Sequence, residues 1–185
     1  MALLRSKHSN NDMAVLRIPS IALPRRVHVA QAGPRVLAAL GAGVVAGTVA
    51  LVLWQWIAVV AYDESPWKLP RMMAALLAGP GVLDDEGIFG APVALGFAVH
   101  FTLSLLYALA LAGVLAGLRR EHAPIVGLLF GIALYVANLH AFTSLFPWFA
   151  EMRTLDTFVV HAIFGVFAAG AYCEFSRPRG DEELD

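Results

Sequence analysis

Charged residues, cysteine and the short motifs of soluble enzymes are scarce in this sequence. Lys, Arg, Asp and Glu make up 15% of the 185 residues, whereas soluble domains carry about 25%. The single cysteine, Cys173, excludes an internal disulfide bond and a cysteine-based metal cluster. No GxxxxGKS, GxxxxGKT, GxSxG or HExxH pattern occurs, so the sequence indicates neither a nucleotide-binding loop nor a hydrolase site. Hydrophobic residues, in contrast, make up 59% of the chain.

The apolar residues are concentrated in four long blocks separated by short charged loops, which is typical of a polytopic membrane protein. An α-helix rises about 1.5 Å per residue, so about 20 residues cross the ~30 Å hydrocarbon core of a bilayer. The sequence therefore predicts an all-α bundle of four membrane-spanning helices. The predicted spans are residues 36–62, 92–118, 124–146 and 158–175.

The distribution of Lys and Arg predicts the orientation of this membrane domain, residues 36–176. Ten of the 13 basic residues lie in the tail of residues 1–35, in the turn between the second and third spans, or after residue 176. By the positive-inside rule, both the basic tail and the charged tail of residues 177–185 are predicted to be cytoplasmic.

Local signals predict where some helices begin and meet. Residues 71–77, in the first outer loop, are predicted to form a short interfacial helix, because the segment is too short to cross a bilayer. Thr154 and Asp156 are candidate N-caps of the fourth span. Helices in a bilayer meet at small residues, so tight contacts in the cytoplasmic half are expected at three GxxxG pairs. These are Gly43–Gly47, Gly113–Gly117 and Gly127–Gly131.

Three of the six histidines lie within predicted spans and at a similar depth. His100, His140 and His161 are eight, six and three residues from the outer ends of the second, third and fourth spans. At about 1.5 Å per residue, these positions are roughly 5–12 Å below the outer surface. Gln55 of the first span falls at the same level. Ionisable residues inside a membrane indicate a functional site by default, so this histidine layer is the candidate site.

Helical phase favours a pocket between the second and fourth spans. Ser104 and Tyr107 share a helix face with His100, because residues three or four apart lie on the same side. His140 stands about 180° from Gly131 of its own span, at ~100° per residue. We therefore expect His100 and His161 to converge more readily than all three histidines. The other predicted pocket residues are Gln55, Ser104, Tyr107 and Asn138.

Four interpretations of the histidine layer are open from the residues alone. The imidazoles can be neutral and hydrogen-bonded between helices. His100 and His161 can hold a haem b, or the two together with His140 can bind a metal ion. They can sense or relay protons, since an imidazole titrates near pH ~6.5. They can also line a path for a small molecule or an ion. The absence of any cofactor is the leading expectation, and no catalytic residue is predicted.

Three stretches carry a resemblance to a known family: VHFTLSLLYALALAGVL, GLLFGIALYVANLHAFTSLFPWF and TFVVHAIFGVFAAGAYCEFSR. Their layout resembles the YagU-like family of small bacterial inner-membrane proteins, over less than half of the chain. The resemblance implies an inner-membrane location and a link to acid tolerance. His100, His140 and His161 are the positions that it carries over, and it supplies no catalytic residue.

The sequence as a whole predicts a non-enzymatic integral membrane protein, either an accessory subunit or a stress- or acid-related factor. The alternative is a haem- or metal-binding subunit of a redox complex, and a small transporter or channel component ranks third. The expected partners are the lipid bilayer and either a larger membrane complex or further copies of the chain. Nucleic acid is not an expected partner.

Overall fold

The computed structural model describes residues 35–84 and 90–177, and these residues form helices and no strand. The predicted tails, apart from Arg35 and Arg177, and the loop residues 85–89 lie outside the described residues. The α-helices are α1 (Val36–Tyr62), α2 (Lys68–Ala78), α3 (Ala91–Leu115), α4 (Ala123–Val136) and α5 (Leu155–Phe175). A π-helical turn and a 3-10 turn extend α4 to residue 144, and another 3-10 segment, Pro147–Met152, precedes α5.

Four helical stretches among the described residues are long and apolar enough to cross a membrane. They are Val36–Tyr62, Ala91–Leu115, Arg120–Ser144 and Leu155–Phe175. This confirms the prediction of an all-helical chain with four candidate spans, as in a multi-pass membrane protein. The predicted ends of the spans agree with the observed ones to within four residues.

The start of α5 is set by one threonine. The hydroxyl oxygen of Thr154 accepts a hydrogen bond from the backbone N–H of Thr157 at 3.2 Å, which confirms Thr154 as the N-cap. The helix consequently begins at Leu155, three residues before the predicted start. The assignment of Asp156 as an alternative cap was wrong, because this residue lies inside the first turn, where its carboxylate accepts a hydrogen bond from the Tyr62 hydroxyl.

The helices pack in the order α3, α1, α5, α4. Helix α1 packs against both α3 and α5, and α4 packs chiefly against α5. Helices α3 and α4, at the two ends of this series, make few contacts with each other. Helix α2 packs against α3. Its residues include the segment 71–77, for which a short helix was predicted. The gap between α3 and α4 is the feature that positions the candidate site.

Two of the three GxxxG pairs lie at helix contacts. A Cβ added at the two members of Gly43–Gly47 would come to 3.0 Å from Ser104 O and 2.7 Å from Ser104 Oγ, so α1 approaches α3 closely here. A Cβ added at Gly127–Gly131 would overlap the backbone carbonyls of Gly165 and His161. These glycines therefore allow α4 and α5 to pack backbone against backbone.

The third pair, Gly113–Gly117, does not behave as expected. Neither glycine has a described neighbour within 4 Å of an added Cβ, and both are exposed. The glycine of α3 that permits a close helix contact is Gly96 instead, because an added Cβ there would overlap the carbonyl of Pro70 on α2. A GxxxG pattern marks a surface that permits contact, but it does not determine whether another helix lies there.

Polar contacts join the loops at one end of the bundle, which we call the α2 end (α2 and Pro147–Met152). Lys68 Nζ lies 2.7 Å from a carboxylate oxygen of Glu64 and 3.3 Å from one of Glu151. Trp148 Nε1 donates to the carbonyl of Met72 at 3.2 Å. Burial lowers the pKa of Lys68, but the two carboxylates outweigh this effect, so its pKa lies above the ordinary lysine value. The lysine therefore stays charged until the pH rises well above neutrality.

The opposite end of the bundle is rich in arginine, and we call it the arginine end (Arg35, Arg119, Arg120 and Ser176). Arg35 precedes α1, and Arg119 and Arg120 lie between α3 and α4. Arg35 and Arg120 both donate to the carbonyl oxygen of Ser176, which follows α5. The ends of three helical segments are therefore tied together here.

Candidate functional site

A cavity of about 300 Å³ separates α3 from α4 near the α2 end. This volume is at the lower end of the range of about 300–1,000 Å³ for small-molecule sites. Of the 20 described residues that line the cavity, 14 are apolar, including Trp54 of α1 and Met73 of α2. The polar lining residues are His100, Ser104, Tyr107, Asn138, Thr157 and His161. The cavity is thus an apolar chamber with a few polar groups on its wall.

His100 is held by the backbone of α1. Its Nε2 lies 2.9 Å from the carbonyl oxygen of Gly47, and because a carbonyl only accepts, Nε2 must carry the proton. The lone pair of the neutral ring is then on Nδ1, which has no hydrogen-bond partner among residues 35–84 and 90–177. A Cβ at Gly47 would meet Ser104 Oγ at 2.7 Å, so the glycine lets α1 approach α3 closely here. Ser104 Oγ donates to the His100 carbonyl at 2.8 Å, within its own helix.

His161 is oriented in the same way by its own helix. Its Nδ1 lies 2.8 Å from the carbonyl oxygen of Thr157, so Nδ1 carries the proton and Nε2 the lone pair. Asn138 Nδ2 makes a long contact of 3.5 Å to this Nε2. The amide oxygen of Asn138 in turn accepts a hydrogen bond from the hydroxyl of Tyr107 at 2.8 Å. A chain of polar groups therefore links α3, the extension of α4, and α5.

A buried threonine connects this chain to α1. Thr157 is 3% exposed, and its hydroxyl oxygen accepts a hydrogen bond from Trp54 Nε1 at 3.3 Å. No buried side-chain nitrogen or oxygen in the described part of the chain lacks a hydrogen-bond partner. The buried polar atoms of the wall are thus satisfied, as burial in an apolar environment requires, whereas His100 Nδ1, which has no partner among the described residues, is an accessible atom.

Asn138 lies in a π-helical turn, Ala137–Ala141. Such turns add a residue to the helical repeat and are frequent at functional sites. Arg153, from the loop before α5, supports the turn: its Nε donates to the carbonyl of Leu139 at 2.6 Å, and its guanidinium also donates to the hydroxyl of Thr143. A side chain that does not itself line the cavity therefore stabilises the helix distortion that carries Asn138.

The structure brings together five of the predicted site residues around the cavity: His100, Ser104, Tyr107, Asn138 and His161. His100 on α3 and His161 on α5 both line this cavity, as helical phase led us to expect.

Two predicted residues lie elsewhere. Gln55 does not line the cavity; its Nε2 donates to the carbonyl of Pro66 at 3.2 Å, in the loop after α1. His140 is exposed on the surface of the bundle, and its ring packs on Tyr135 at a centroid distance of 5.5 Å. Tyr135 also packs on the ring of His161, at 5.8 Å, and on that of Phe158, at 5.3 Å. His140 therefore does not share a pocket with His100 and His161.

The proposed three-histidine metal set is therefore not assembled around the cavity. The described residues contain no group of three or more His, Cys, Asp or Glu side chains suited to a metal ion. The pair His100 and His161 is a different case. Each ring has one nitrogen bound to a backbone carbonyl, which is the orientation that metal-ligating histidines usually have. His100 and His161 are the residues that would hold the group in the haem alternative.

Sequence reasoning missed Trp54, Tyr135, Arg153 and Thr157. A signal existed for Thr157, because it stands four residues before His161 and thus on the same helix face. The three others gave no signal, since each acts through a contact between elements distant in the sequence.

The cavity wall reaches the surface between α3 and α4. Phe142, in the extension of α4, lines the cavity, yet 49% of its surface is exposed. Leu69, Met73 and Leu76 of α2 form the wall on the other side. In a bundle that spans a bilayer, an opening between two helices faces the lipid.

Comparisons of the chain with family models, curated proteins and solved structures find no match. The resemblance to the YagU-like family therefore stays a prediction, and the function must be argued from the cavity itself.

Proposed function

We propose that this chain is a non-enzymatic protein of the bacterial inner membrane that binds a small, mainly apolar molecule carrying a hydroxyl group. The observation that carries the proposal is the apolar cavity with His100 Nδ1 as an unused hydrogen-bond acceptor. Both termini are cytoplasmic in this proposal, because Arg35, Arg119 and Arg120 lie at the end opposite the cavity. The α2 end then faces outwards, with α2 near the membrane surface.

The chemistry of the wall limits the ligand. Burial of apolar surface contributes about 25 cal/mol per Å², so a mainly apolar body suits the 14 apolar lining residues. The ligand must also supply a donor, since the free nitrogen of neutral His100 can only accept. An alcohol or a phenol meets both conditions, whereas a molecule whose only polar group is a carbonyl does not.

The route to the cavity follows from the helix packing. Helices α3 and α4 make few contacts, and the exposed Phe142 stands beside the gap. A ligand dissolved in the bilayer can therefore reach the cavity sideways, without crossing water. This route favours ligands that partition into lipid, in keeping with the apolar wall.

Mass spectrometry of an organic extract tests the proposal. The protein is purified in mild detergent from its membrane, and wild type is compared with His100→Ala and with His140→Ala, a matched control on the same level that lies outside the cavity. Losing one hydrogen bond should reduce the bound hydroxyl compound roughly three- to tenfold in His100→Ala. The His140→Ala extract should match wild type. Ala50→Leu fills the cavity without removing a polar group and should also remove the compound. Equal amounts in all four proteins, or none in wild type, would overturn the proposal.

A haem- or metal-binding subunit is the second candidate, favoured by the orientation of His100 and His161. A haem b between two histidines gives a strong visible absorption band, and elemental analysis detects a bound metal. If the purified protein has such a band, and the band is lost in both His100→Ala and His161→Ala, the cavity is a haem site.

A further inference from the structure

A second cavity of about 200 Å³ lies at the arginine end. Three arginines line it: Arg35 before α1, and Arg119 and Arg120 between α3 and α4. Tyr172, Cys173 and Ser176 line it from the end of α5. Positive charge from two separate parts of the chain thus surrounds one concave site.

The end of α5 explains part of this arrangement. The last carbonyls of a helix have no partner within it and carry partial negative charge. Arg35 Nη1 donates to Ser176 O at 2.5 Å, and Arg120 donates to Ser176 O and Cys173 O, both at 3.2 Å. Two guanidinium groups therefore lie next to each other on one carbonyl oxygen.

The positive charge at this site exceeds what its neighbours balance. In residues 35–84 and 90–177, Glu121 pairs with Arg119 at 3.2 Å and Glu174 pairs with Arg177 at 3.2 Å. No described carboxylate forms an ion pair with Arg35 or Arg120. The helix end supplies only about half a negative charge. Each guanidinium also has five N–H donors, more than the carbonyls use.

We propose that this cavity binds the phosphate of an anionic lipid headgroup. Arginine matches phosphate geometry with paired donors, and basic pockets between spanning helices are suited to such headgroups. A lipid fits better than free phosphate because the cavity is at the ends of the spans, where headgroups lie. Leu115 and Leu118 beside the arginines add apolar surface for an acyl chain.

Thermal unfolding in nanodiscs tests this site separately from the hydroxyl-ligand cavity. Full-length protein is compared in phosphatidylcholine, in phosphatidylcholine with phosphatidylglycerol, and in phosphatidylcholine with added inorganic phosphate. Phosphatidylglycerol should raise the unfolding temperature, and inorganic phosphate should not. The double variant Arg35→Gln/Arg120→Gln should lose this increment, with roughly tenfold or greater loss of phosphatidylglycerol affinity. The control Arg177→Gln, at the same end but outside the cavity, should keep it.

A second variant covers the case in which the double variant does not fold. Arg119→Gln leaves the contacts to α5 intact and should still reduce the increment. The proposal is overturned if the unfolding temperature is the same in phosphatidylcholine with and without phosphatidylglycerol. It is also overturned if the rise caused by phosphatidylglycerol persists in the arginine variants. An equal effect of inorganic phosphate would identify a free-anion site instead.

The acidic sequence DEELD, residues 181–185, is tested by replacing its acids with amides. If stabilisation by phosphatidylglycerol appears only after this change, the acidic tail, and not a lipid, occupies the cavity in the wild-type protein. This result would also overturn the proposal.

Discussion

His100 on α3 hydrogen-bonds the backbone carbonyl of Gly47 on α1 at 2.9 Å. This contact fixes the ring, determines which nitrogen carries the proton, and leaves the other nitrogen free. A glycine is required at residue 47 for a separate reason, because a side chain there would meet Ser104. One small residue thus supports both the helix contact and the orientation of the candidate ligand-binding group.

A side chain at residue 47 should separate α1 from α3. An added Cβ would lie 2.7 Å from Ser104 Oγ, so Gly47→Leu should destabilise the protein by about 1–3 kcal/mol through overpacking. The matched control is Gly113→Leu, at the exposed GxxxG pair, where the change should stay within about 0.5 kcal/mol. Unfolding in detergent, followed by circular dichroism, measures both. Equal destabilisation of the two variants would contradict the observed α1–α3 contact.

Tyr107 and Asn138 should be energetically coupled, because their hydrogen bond crosses the gap between α3 and the extension of α4. Single variants Tyr107→Phe and Asn138→Leu and the double variant form a thermodynamic cycle. We expect a coupling energy of about 0.6 kcal/mol and at most about 1.7 kcal/mol, as for other hydrogen bonds within membranes. Strictly additive effects on the free energy of unfolding would show that the bond does not form.

Arg153 should stabilise the π-helical turn that carries Asn138. Hydrogen bonds from charged groups contribute about 1.5–3 kcal/mol, and Arg153→Gln removes two of them. This variant should unfold at lower temperature and should also weaken ligand binding, although residue 153 does not line the cavity. Arg177→Gln, which changes an exposed arginine paired with Glu174, provides the comparison. If Arg153→Gln leaves the unfolding temperature and ligand binding unchanged, the turn is stable without this support.

The proposed orientation predicts which loops a membrane-impermeant thiol reagent can reach. In a Cys173→Ser background, a cysteine introduced by Ser65→Cys, next to α2, should react in intact bacteria. One introduced by Glu121→Cys, at the arginine end, should react only after permeabilisation. Both positions are exposed in the bundle, so accessibility does not differ for local reasons. The opposite labelling pattern would reverse the proposed topology.

The helices could be predicted from the sequence because hydropathy is a property of each segment. The long uncharged blocks gave four candidate spans, and the hydroxyl of Thr154 gave one helix start. The convergence of His100 and His161 also followed, since regular α-helical phase holds over the parts of α3 and α5 that carry them. Features that depend on a single helix and its local chemistry could therefore be predicted from the sequence.

The parts of the site that depend on contacts between elements could not be predicted from the sequence. Phase counted at ~100° per residue does not hold through the π-helical turn of Ala137–Ala141, and its support by Arg153 left no trace in the local sequence. Depth alone placed Gln55 and His140 in the layer. Depth does not specify which side of a helix faces the cavity, and Gln55 bonds the loop after α1 instead.

The most direct test of the central claim compares 1-octanol with octyl methyl ether, which has the same chain but no hydroxyl donor. Unfolding temperatures are measured in phosphatidylcholine nanodiscs for wild type, His100→Ala and His140→Ala. Octanol should raise the unfolding temperature of wild type and His140→Ala more than the ether does, because only the alcohol can donate to His100 Nδ1. In His100→Ala the difference between the two compounds should vanish. If the ether stabilises wild type as much as the alcohol, or if His100→Ala retains the difference, His100 is not the group that selects the ligand.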